Sequence, residues 1–251
     1  MTIALRLAER RIETVVLDIE GTTTPIGFVY DILLPYARAH LREYLCAPER
    51  AAVVAAIARR LRAERQAESE RDEPPPWRED TRDQLLESTA AYAEWLMNRD
   101  RKSPGLKELQ GKIWERGYAD GTLRGEVFPD VPAALERWQR SGFDVAIYSS
   151  GSVLAQRLLF STTTDGDLTR FVRAFFDTAV GAKQSPDSYR RIAMDLGCAP
   201  SHMLFVSDSA PELDAARAAG WHVAMCIRPG NPEQARADDV PVIANFDEII
   251  A

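Results

Sequence analysis

Cysteine and histidine are scarce in this sequence, with three of each among 251 residues. Cys46, Cys198 and Cys226 are far apart and include no Cys-x-x-Cys pair, so the sequence predicts neither a disulfide framework nor a zinc site. We interpret these cysteines as reduced thiols of a buried core. The three histidines are equally dispersed, and we interpret them as structural or surface residues rather than as metal ligands.

Basic charge and long apolar runs are also lacking. The 31 Lys and Arg residues are outnumbered by 38 Asp and Glu residues, which gives a formal net charge of -7. Nucleic acids and anionic membranes attract concentrated basic surface, so we expect neither as a partner. No apolar run is long enough to span a bilayer, and residues 1–11 have no signal-peptide pattern. We therefore expect a cytoplasmic protein.

Residues 14–24, TVVLDIEGTTT, combine a short apolar run with two acids. Residues 15–17 carry no polar side chain on either face, which predicts a buried strand of a parallel sheet. Because residues two apart in an extended chain project to the same side, Asp18 and Glu20 can reach one site beyond this strand. Two such carboxylates repel each other unless a cation or a shared proton is present. The alternative is an acidic turn that merely follows a core strand.

The turn formed by residues 21–24 contains one glycine and three threonines. We expect its amides and hydroxyls to face an anion.

Helical spacing of apolar residues dominates the chain from residue 28 to residue 118. Helices are predicted over residues 28–45, with a bend at Pro35, and over residues 48–66, 81–98 and 104–118. Thr81 is the expected N-cap of the third helix. The charged, proline-containing residues 67–81 are predicted to form an exposed linker.

Strands and helices alternate after residue 128, which is typical of parallel βαβ units. Residues 1–13 are interpreted as a short, partly ordered lead-in. The predicted helices cover residues 130–142, 153–160, 186–196 and 211–219, and the predicted strands cover residues 145–148, 174–178, 203–206, 221–226 and 240–243.

Polar residues follow several of the predicted strands. These are Asp18, the pair Ser149 and Ser150, Lys183 and Asp208. Ligands of open parallel sheets bind beyond the carboxyl ends of the strands, so these side chains are candidates for one site. A phosphoryl group requires a nucleophile, cations and hydroxyl or amide donors, all of which are present in this set. Each residue also has an ordinary alternative, as a capping carboxylate, a turn serine or a surface lysine.

The motifs DIEGT, YSSGS, the lone lysine of GAKQSP and VSDSAPE occur in an order that resembles the haloacid dehalogenase-like hydrolase superfamily. Within it, DIEGTTTPIGFVYDILLPYA and LKELQGKIWERGY are similar to signatures of the enolase-phosphatase, or acireductone synthase, family. Glu20 stands where most of the superfamily carries a second aspartate. The resemblance covers nearly the whole chain. It implies an α/β fold with a doubly wound parallel sheet, in which residues 1–25 and 126–251 form the core and residues 26–125 an inserted helical cap.

The activity implied by the resemblance is the Mg²⁺-dependent conversion of 2,3-diketo-5-methylthiopentyl-1-phosphate to an acireductone and phosphate in methionine salvage. Asp18 would be the nucleophile that forms an aspartyl-phosphate, and Glu20 the general acid and base. We expect Mg²⁺ on the Asp18 carboxylate, the Glu20 backbone carbonyl and Asp208, because Mg²⁺ prefers oxygen ligands. Glu212 is expected just outside this ligand set. No base for the enolisation step is identifiable.

Substrate contacts are expected from both parts of the chain. Ser149, Ser150 and Lys183 would bind the phosphate. In the cap, the expected contacts are Gln110, Gly111 and Trp114, and the alternative for Trp114 is simple packing between helices.

We expect a monomer whose partner is a small phosphorylated substrate. The rival functions are a phosphatase of the same superfamily with another small ester, and a phospho-binding module without turnover. A dehalogenase is disfavoured, because that chemistry requires neither Mg²⁺ nor an acid at Glu20.

Overall fold

The computed structural model describes residues 5–101, 103–231 and 239–251. It divides the chain into two compact units. The core unit comprises Met1–Val29 and Arg124–Ala251, and the helical unit comprises Tyr30–Leu123. The sequence predicted a cap over residues 26–125, and the role of the helical unit as a cap stays a prediction.

Strands occur only in the core unit among the residues that the structure describes. They are β1 (Leu5–Arg6), β2 (Thr14–Leu17), β3 (Asp144–Tyr148), β4 (Ala174–Phe176), β5 (Met203–Ser207), β6 (His222–Cys226), β7 (Val242–Ile243) and β8 (Ile249–Ile250). Six of them form a parallel sheet in the order β4-β3-β2-β5-β6-β7. Every residue of β2 is buried, as its uninterrupted apolar run predicts.

The α-helices of the described residues follow the predicted periodicity. They are α1 (Leu34–Cys46), α2 (Ala51–Ala67), α3 (Arg82–Asn98), α4 (Pro104–Ala119), α5 (Val131–Arg140), α6 (Val153–Ser161), α7 (Pro186–Leu196) and α8 (Ala210–Ala218). Beyond residue 125, each predicted helix and strand is confirmed to within two residues at its ends.

The order of the strands reverses at β2. From β2 the chain proceeds to β3 and β4 on one side, and then returns to β5, β6 and β7 on the other. One face of the sheet packs against α7 and α8, through residues such as Val16, Tyr148 and Phe205. The carboxyl end of β2 is therefore a topological switch point, where open α/β sheets bind their ligands.

Residues 5–12 take a larger part in the core unit than the sequence indicates. β1 pairs with β8 in a separate two-stranded parallel sheet, with Leu5 opposite Ile249. Leu7 and Ile12 are also buried. The predicted lead-in, residues 1–13, is thus paired and partly buried from residue 5 onward, and its residues 1–4 lie outside the described residues.

The helical unit contains α1 to α4. A π-helical segment, Phe28–Leu33, continues directly into α1, and Pro35, which has no amide hydrogen to donate, lies where the helix changes from π to α. Thr81 caps α3 as predicted, since its hydroxyl accepts a hydrogen bond from the Gln84 amide at 3.2 Å. No helix in the described parts of the chain is long and apolar enough to cross a membrane.

Candidate active site

Asp18 lies directly after β2 and is 4% exposed. Its amide donates to the Val206 carbonyl at 3.0 Å, which continues the pairing of β2 with β5. Its Oδ1 accepts hydrogen bonds from the Ile19 amide at 2.7 Å and from Lys183 Nζ at 2.6 Å. Its Oδ2 lies 3.2 Å from the hydroxyl of Ser207. The carboxylate is thus fixed at the switch point of the sheet.

Lys183 joins two buried carboxylates. Its Nζ lies 2.6 Å from Asp18 Oδ1 and 2.6 Å from Glu212 Oε2. Burial by itself would lower the pKa of Lys183, but the charges of Asp18 and Glu212 outweigh that effect and raise it. The side chain is therefore an ammonium ion at neutral pH.

Three side chains from two elements hold the loop that carries Lys183. The backbone carbonyls of residues 181–183 accept hydrogen bonds from the hydroxyls of Tyr148, Ser188 and Tyr189, at 3.0, 2.7 and 2.7 Å respectively. Tyr148 is the last residue of β3, whereas the other two belong to α7. The sheet and the helix together determine where the ammonium lies.

Asp208 follows β5 and packs against the backbone of Gly21. A Cβ atom at position 21 would lie 2.3 Å from Asp208 Oδ2, and Gly21 has a φ of +74°. Both the close approach and the left-handed backbone conformation require glycine here. Burial, followed by the Asp18 charge, raises the pKa of Asp208 to about 7, with a smaller contribution from Glu20.

Negative charge is in excess at this site. Burial and the Asp18 charge also raise the pKa of Glu212 to about 7, although Lys183 acts in the opposite direction. Lys183 thus pairs with Asp18 and Glu212, and its charge also acts on the nearby carboxylate of Asp208. An oxygen donor set with excess negative charge fits a hard divalent cation such as Mg²⁺.

The described residues include no group of three or more His, Cys, Asp or Glu side chains that could hold a metal. The ligand set predicted from the sequence contains two carboxylates, Asp18 and Asp208, and a backbone carbonyl, so it does not need such a group. Glu212, which the sequence placed just outside the ligand set, contacts Lys183 and Ser207.

Glu20 is half-buried in the turn that follows β2. The amides of residues 22–24 all donate to the Ile19 carbonyl, at 2.9–3.1 Å, and the Gly21 amide donates to the Thr24 carbonyl at 2.8 Å. The expectation that these amides face an anion is therefore wrong. The turn uses them to satisfy its own backbone, which makes it a compact support for Glu20.

Ser149 and Ser150 follow β3, the strand next to β2. The Ser149 amide donates to the Phe176 carbonyl at 3.1 Å, and the buried Ser149 hydroxyl accepts from the Gly151 amide at 3.2 Å. A hydroxyl that accepts one hydrogen bond can still donate its own proton. Ser150 is half-buried. The predicted phosphate contacts of both serines stay predictions.

Gln110, Gly111 and Trp114 lie on α4 and are buried in the helical unit. Trp114 Nε1 donates to the Leu33 carbonyl at 2.8 Å, so its indole holds the residue that precedes α1. This contact fits the packing alternative for Trp114. Contact of the three residues with substrate stays a prediction.

Three polar residues of the core unit were not found from the sequence. The Ser207 hydroxyl lies 3.2 Å from Asp18 Oδ2 and 3.1 Å from Glu212 Oε2, and its position beside Asp208 in VSDS was the available signal. Arg228 and Asn231 contact the turn that carries Glu20. Their only signal was their position after β6, at the same edge of the sheet.

The chain is similar to known proteins over most of its length. The profile of haloacid dehalogenase-like hydrolases matches residues 12–220. The chain is 44% identical over 238 residues to enolase-phosphatase E1 of Synechococcus elongatus, covering 95% of this chain and 98% of that protein. For the protein of the same name from Cronobacter sakazakii, the identity is 43% over 238 residues, 95% of this chain and 96% of that protein.

A solved structure shares the fold over most of its length. The UTR4 protein of Saccharomyces cerevisiae is 32% identical, with a TM-score of 0.73 and coverage of 94% of this chain and 99% of that chain. The chain therefore belongs to the enolase-phosphatase E1 family of haloacid dehalogenase-like hydrolases, and it is a phosphatase.

Proposed function

We propose that this phosphatase acts on 2,3-diketo-5-methylthiopentyl-1-phosphate, which it enolises and then hydrolyses to an acireductone and inorganic phosphate. The reaction would belong to methionine salvage in the cytoplasm, with the enzyme as a monomer and Mg²⁺ as its cofactor. The observation that carries the phosphatase half is the buried Asp18 carboxylate, held at 2.6 Å by Lys183. The enolase half is supported by relatives that are named enolase-phosphatases.

Asp18 Oδ2 is the proposed nucleophile. Oδ1 already accepts two hydrogen bonds, whereas Oδ2 has the single Ser207 hydroxyl beside it. An electron pair of Oδ2 would attack phosphorus and the bond between phosphorus and the ester oxygen would break, which leaves an aspartyl-phosphate. Glu20 would donate a proton to the departing oxygen. It would then take a proton from the water that attacks the aspartyl-phosphate, releasing phosphate and restoring Asp18.

Lys183 is suited to bind the transferring phosphoryl group. An ammonium has three N–H groups, two of which are directed at Asp18 and Glu212. The third can contact a phosphoryl oxygen, and Ser149 and Ser150, which follow the neighbouring strand β3, would supply hydroxyl donors. These groups would hold the phosphorus in line with Asp18 Oδ2.

Asp18, the Glu20 backbone carbonyl and Asp208 are the residues that would hold Mg²⁺. The bound ion would neutralise negative charge on the phosphoryl oxygens. The excess of carboxylates over ammonium at this site supports the assignment. Gln110, Gly111 and Trp114 remain the proposed contacts for the rest of the substrate.

The nucleophile is tested by Asp18→Asn. This variant keeps the shape of the side chain and removes the charged oxygen, so phosphate release should fall by at least about 10³-fold. The matched control is Asp187→Asn, which changes an exposed aspartate paired with Arg190 and should keep wild-type activity. Full activity in a folded Asp18→Asn variant would show that Asp18 is not the nucleophile.

The substrate is tested by a panel of phosphorylated diketones and simple phosphate esters, with and without Mg²⁺. The proposal predicts a transient enol absorbance that precedes phosphate release from the diketone phosphate. Efficient hydrolysis of a sugar phosphate or of phosphoglycolate, without turnover of the diketone, would instead identify a phosphatase with a different substrate.

A further inference from the structure

A short segment after β6 contacts the turn that carries Glu20. Arg228 Nε donates to the Thr22 carbonyl at 2.9 Å, and Asn231 Nδ2 donates to the Gly21 carbonyl at 2.9 Å. These two carbonyls belong to the residues directly after Glu20. Residues 228–231 thus contact two consecutive peptide groups of the turn, and we refer to them as the clamp.

The clamp has the features of a rigid β-turn. The Asn231 amide donates to the Arg228 carbonyl at 3.3 Å, and Gly230 has a φ of +89°. Proline at the second position and glycine with positive φ at the third are the pattern of a type II turn. Because Pro229 fixes its own φ, little motion is available between the two donors.

Arg228 also anchors the clamp in the interior of the core unit. It is 3% exposed, and its Nη1 lies 2.8 Å from both carboxylate oxygens of Asp130. Its guanidinium lies 4.4 Å from the ring centre of Phe128 and 4.5 Å from that of Phe246. Such contacts favour a single position of the guanidinium.

We propose that Arg228 and Asn231 are positioning residues that fix the peptide groups of Gly21 and Thr22 and thereby orient Glu20. The amides of the turn are used within the turn, so its orientation depends on what contacts its carbonyls. The Phe128 amide donates to the Thr23 carbonyl at 2.9 Å, and the clamp holds the two carbonyls nearest to Glu20. Gly21 has no side chain to restrict its backbone, which makes an external restraint effective at this point. The inference rests on the proposed role of Glu20 as the general acid.

The test compares two esters with different needs for an acid. The leaving oxygen of the diketone phosphate needs a proton, whereas the leaving group of p-nitrophenyl phosphate departs without one. With phosphate release as the readout, kcat/KM includes the first half-reaction, in which Glu20 would donate its proton, and for the diketone phosphate it also includes the preceding enolisation. Asn231→Ala should lower kcat/KM about tenfold for the diketone phosphate and less than about twofold for p-nitrophenyl phosphate.

Asn245→Ala is the matched control. It removes the same type of side chain from the same unit. The hydrogen bond lost is the one that Asn245 Oδ1 accepts from the Asp247 amide at 3.0 Å, which is not a bond to residues 21–24. It should leave both esters within about twofold of wild type. Arg228→Lys keeps a cation near Asp130 and removes the Nε donor, so it should reproduce the ester-selective loss.

A double variant tests whether Asn231 acts through Glu20. Glu20→Gln should lower kcat/KM for the diketone phosphate by about 10²-fold, and adding Asn231→Ala should change that value less than about twofold. Equal losses for the two esters, or full additivity in the double variant, would overturn the inference. If Asp18→Asn is inactive while Asn231→Ala behaves like Asn245→Ala, the positioning role of Asn231 is wrong and the proposed function still stands. If Asp18→Asn is active, the proposed function fails.

Discussion

The ion pair of Lys183 with Asp18 in the core unit and that of Arg42 with Glu87 in the helical unit have the same length, 2.6 Å. Their surroundings differ. The side chains of the first pair are 8% and 6% exposed, and those of the second are 54% and 65% exposed. Coulomb attraction is strong and desolvation is costly in the interior, whereas both effects are small at the surface.

This difference indicates what each set of charges is for. Exposed pairs such as Arg60 with Glu108 and Arg62 with Glu79 can be lost without leaving a buried charge. In the core unit, Lys183 has two carboxylates within 2.6 Å, and neither could be rehydrated easily if the ammonium were removed. Buried charges of this kind are costly for stability, and their concentration at the end of β2 is what chemistry requires.

Lys183→Met should have the largest effect on stability. It leaves Asp18 and Glu212 buried without their cation, so we expect a destabilisation of about 3–5 kcal/mol, with loss of phosphatase activity. Chemical denaturation measures the stability change. Lys112→Met makes the same substitution at a partly exposed pair with Glu115, and it should cost less than about 0.5 kcal/mol. Equal costs for the two variants would contradict the comparison.

Asp208→Asn should stabilise the metal-free protein. It removes a buried carboxylate that is repelled by Asp18 and has no ion pair of its own with Lys183, so we expect a gain of about 1–2 kcal/mol, together with loss of activity. Thermal unfolding in the presence of a chelator measures the gain, and Asp187→Asn in the same unit should show none. A destabilised Asp208→Asn variant would show that the site does not carry excess negative charge.

The gain from Asp208→Asn should also depend on pH. The pKa of Asp208 is raised from 3.8 to about 7 by burial and by the charge of Asp18. The charged form of Asp208 is therefore disfavoured in the folded state, and its ionisation lowers the stability of the fold. This loss of stability is absent below the pKa of the unfolded state, grows as the pH rises, and is complete above the pKa of the folded state. The variant should accordingly gain more at about pH 8 than at about pH 5.

The sequence was informative about the fold where a pattern repeats over several residues. β2, β3 and β5 each contain an uninterrupted apolar run, and the helices that follow have a clear period. β1 and β8 are two residues each and pair across nearly the whole chain, with Leu5 opposite Ile249, so no local pattern indicates them. The π-helical segment, Phe28–Leu33, was likewise not distinguished from an ordinary helix.

The candidate site was predictable where residues follow strand ends. The rule that ligands bind beyond the carboxyl ends of parallel strands predicts Asp18, Lys183 and Asp208 as members of one site. Arg228 and Asn231 also follow a strand, but isolated polar residues carry no periodic signal, and their contacts are with backbone carbonyls. The turn after β2 was misjudged because its composition does not reveal that its amides bond to its own carbonyls.

Arg42→Ala should have the smallest effect, although Arg42 makes several contacts. Its guanidinium bonds both oxygens of Glu87, at 2.6 and 3.2 Å, and Glu94 at 3.2 Å, which connects α1 to α3. The groups are exposed, so we expect a cost of about 0.5 kcal/mol that disappears at about 1 M salt. A double-mutant cycle with Glu87→Ala measures the pair directly. A coupling above about 1.5 kcal/mol that resists salt would mean that exposed ion pairs contribute substantially to the packing of these helices. Burial would then no longer explain the difference between the ion pairs of the two units.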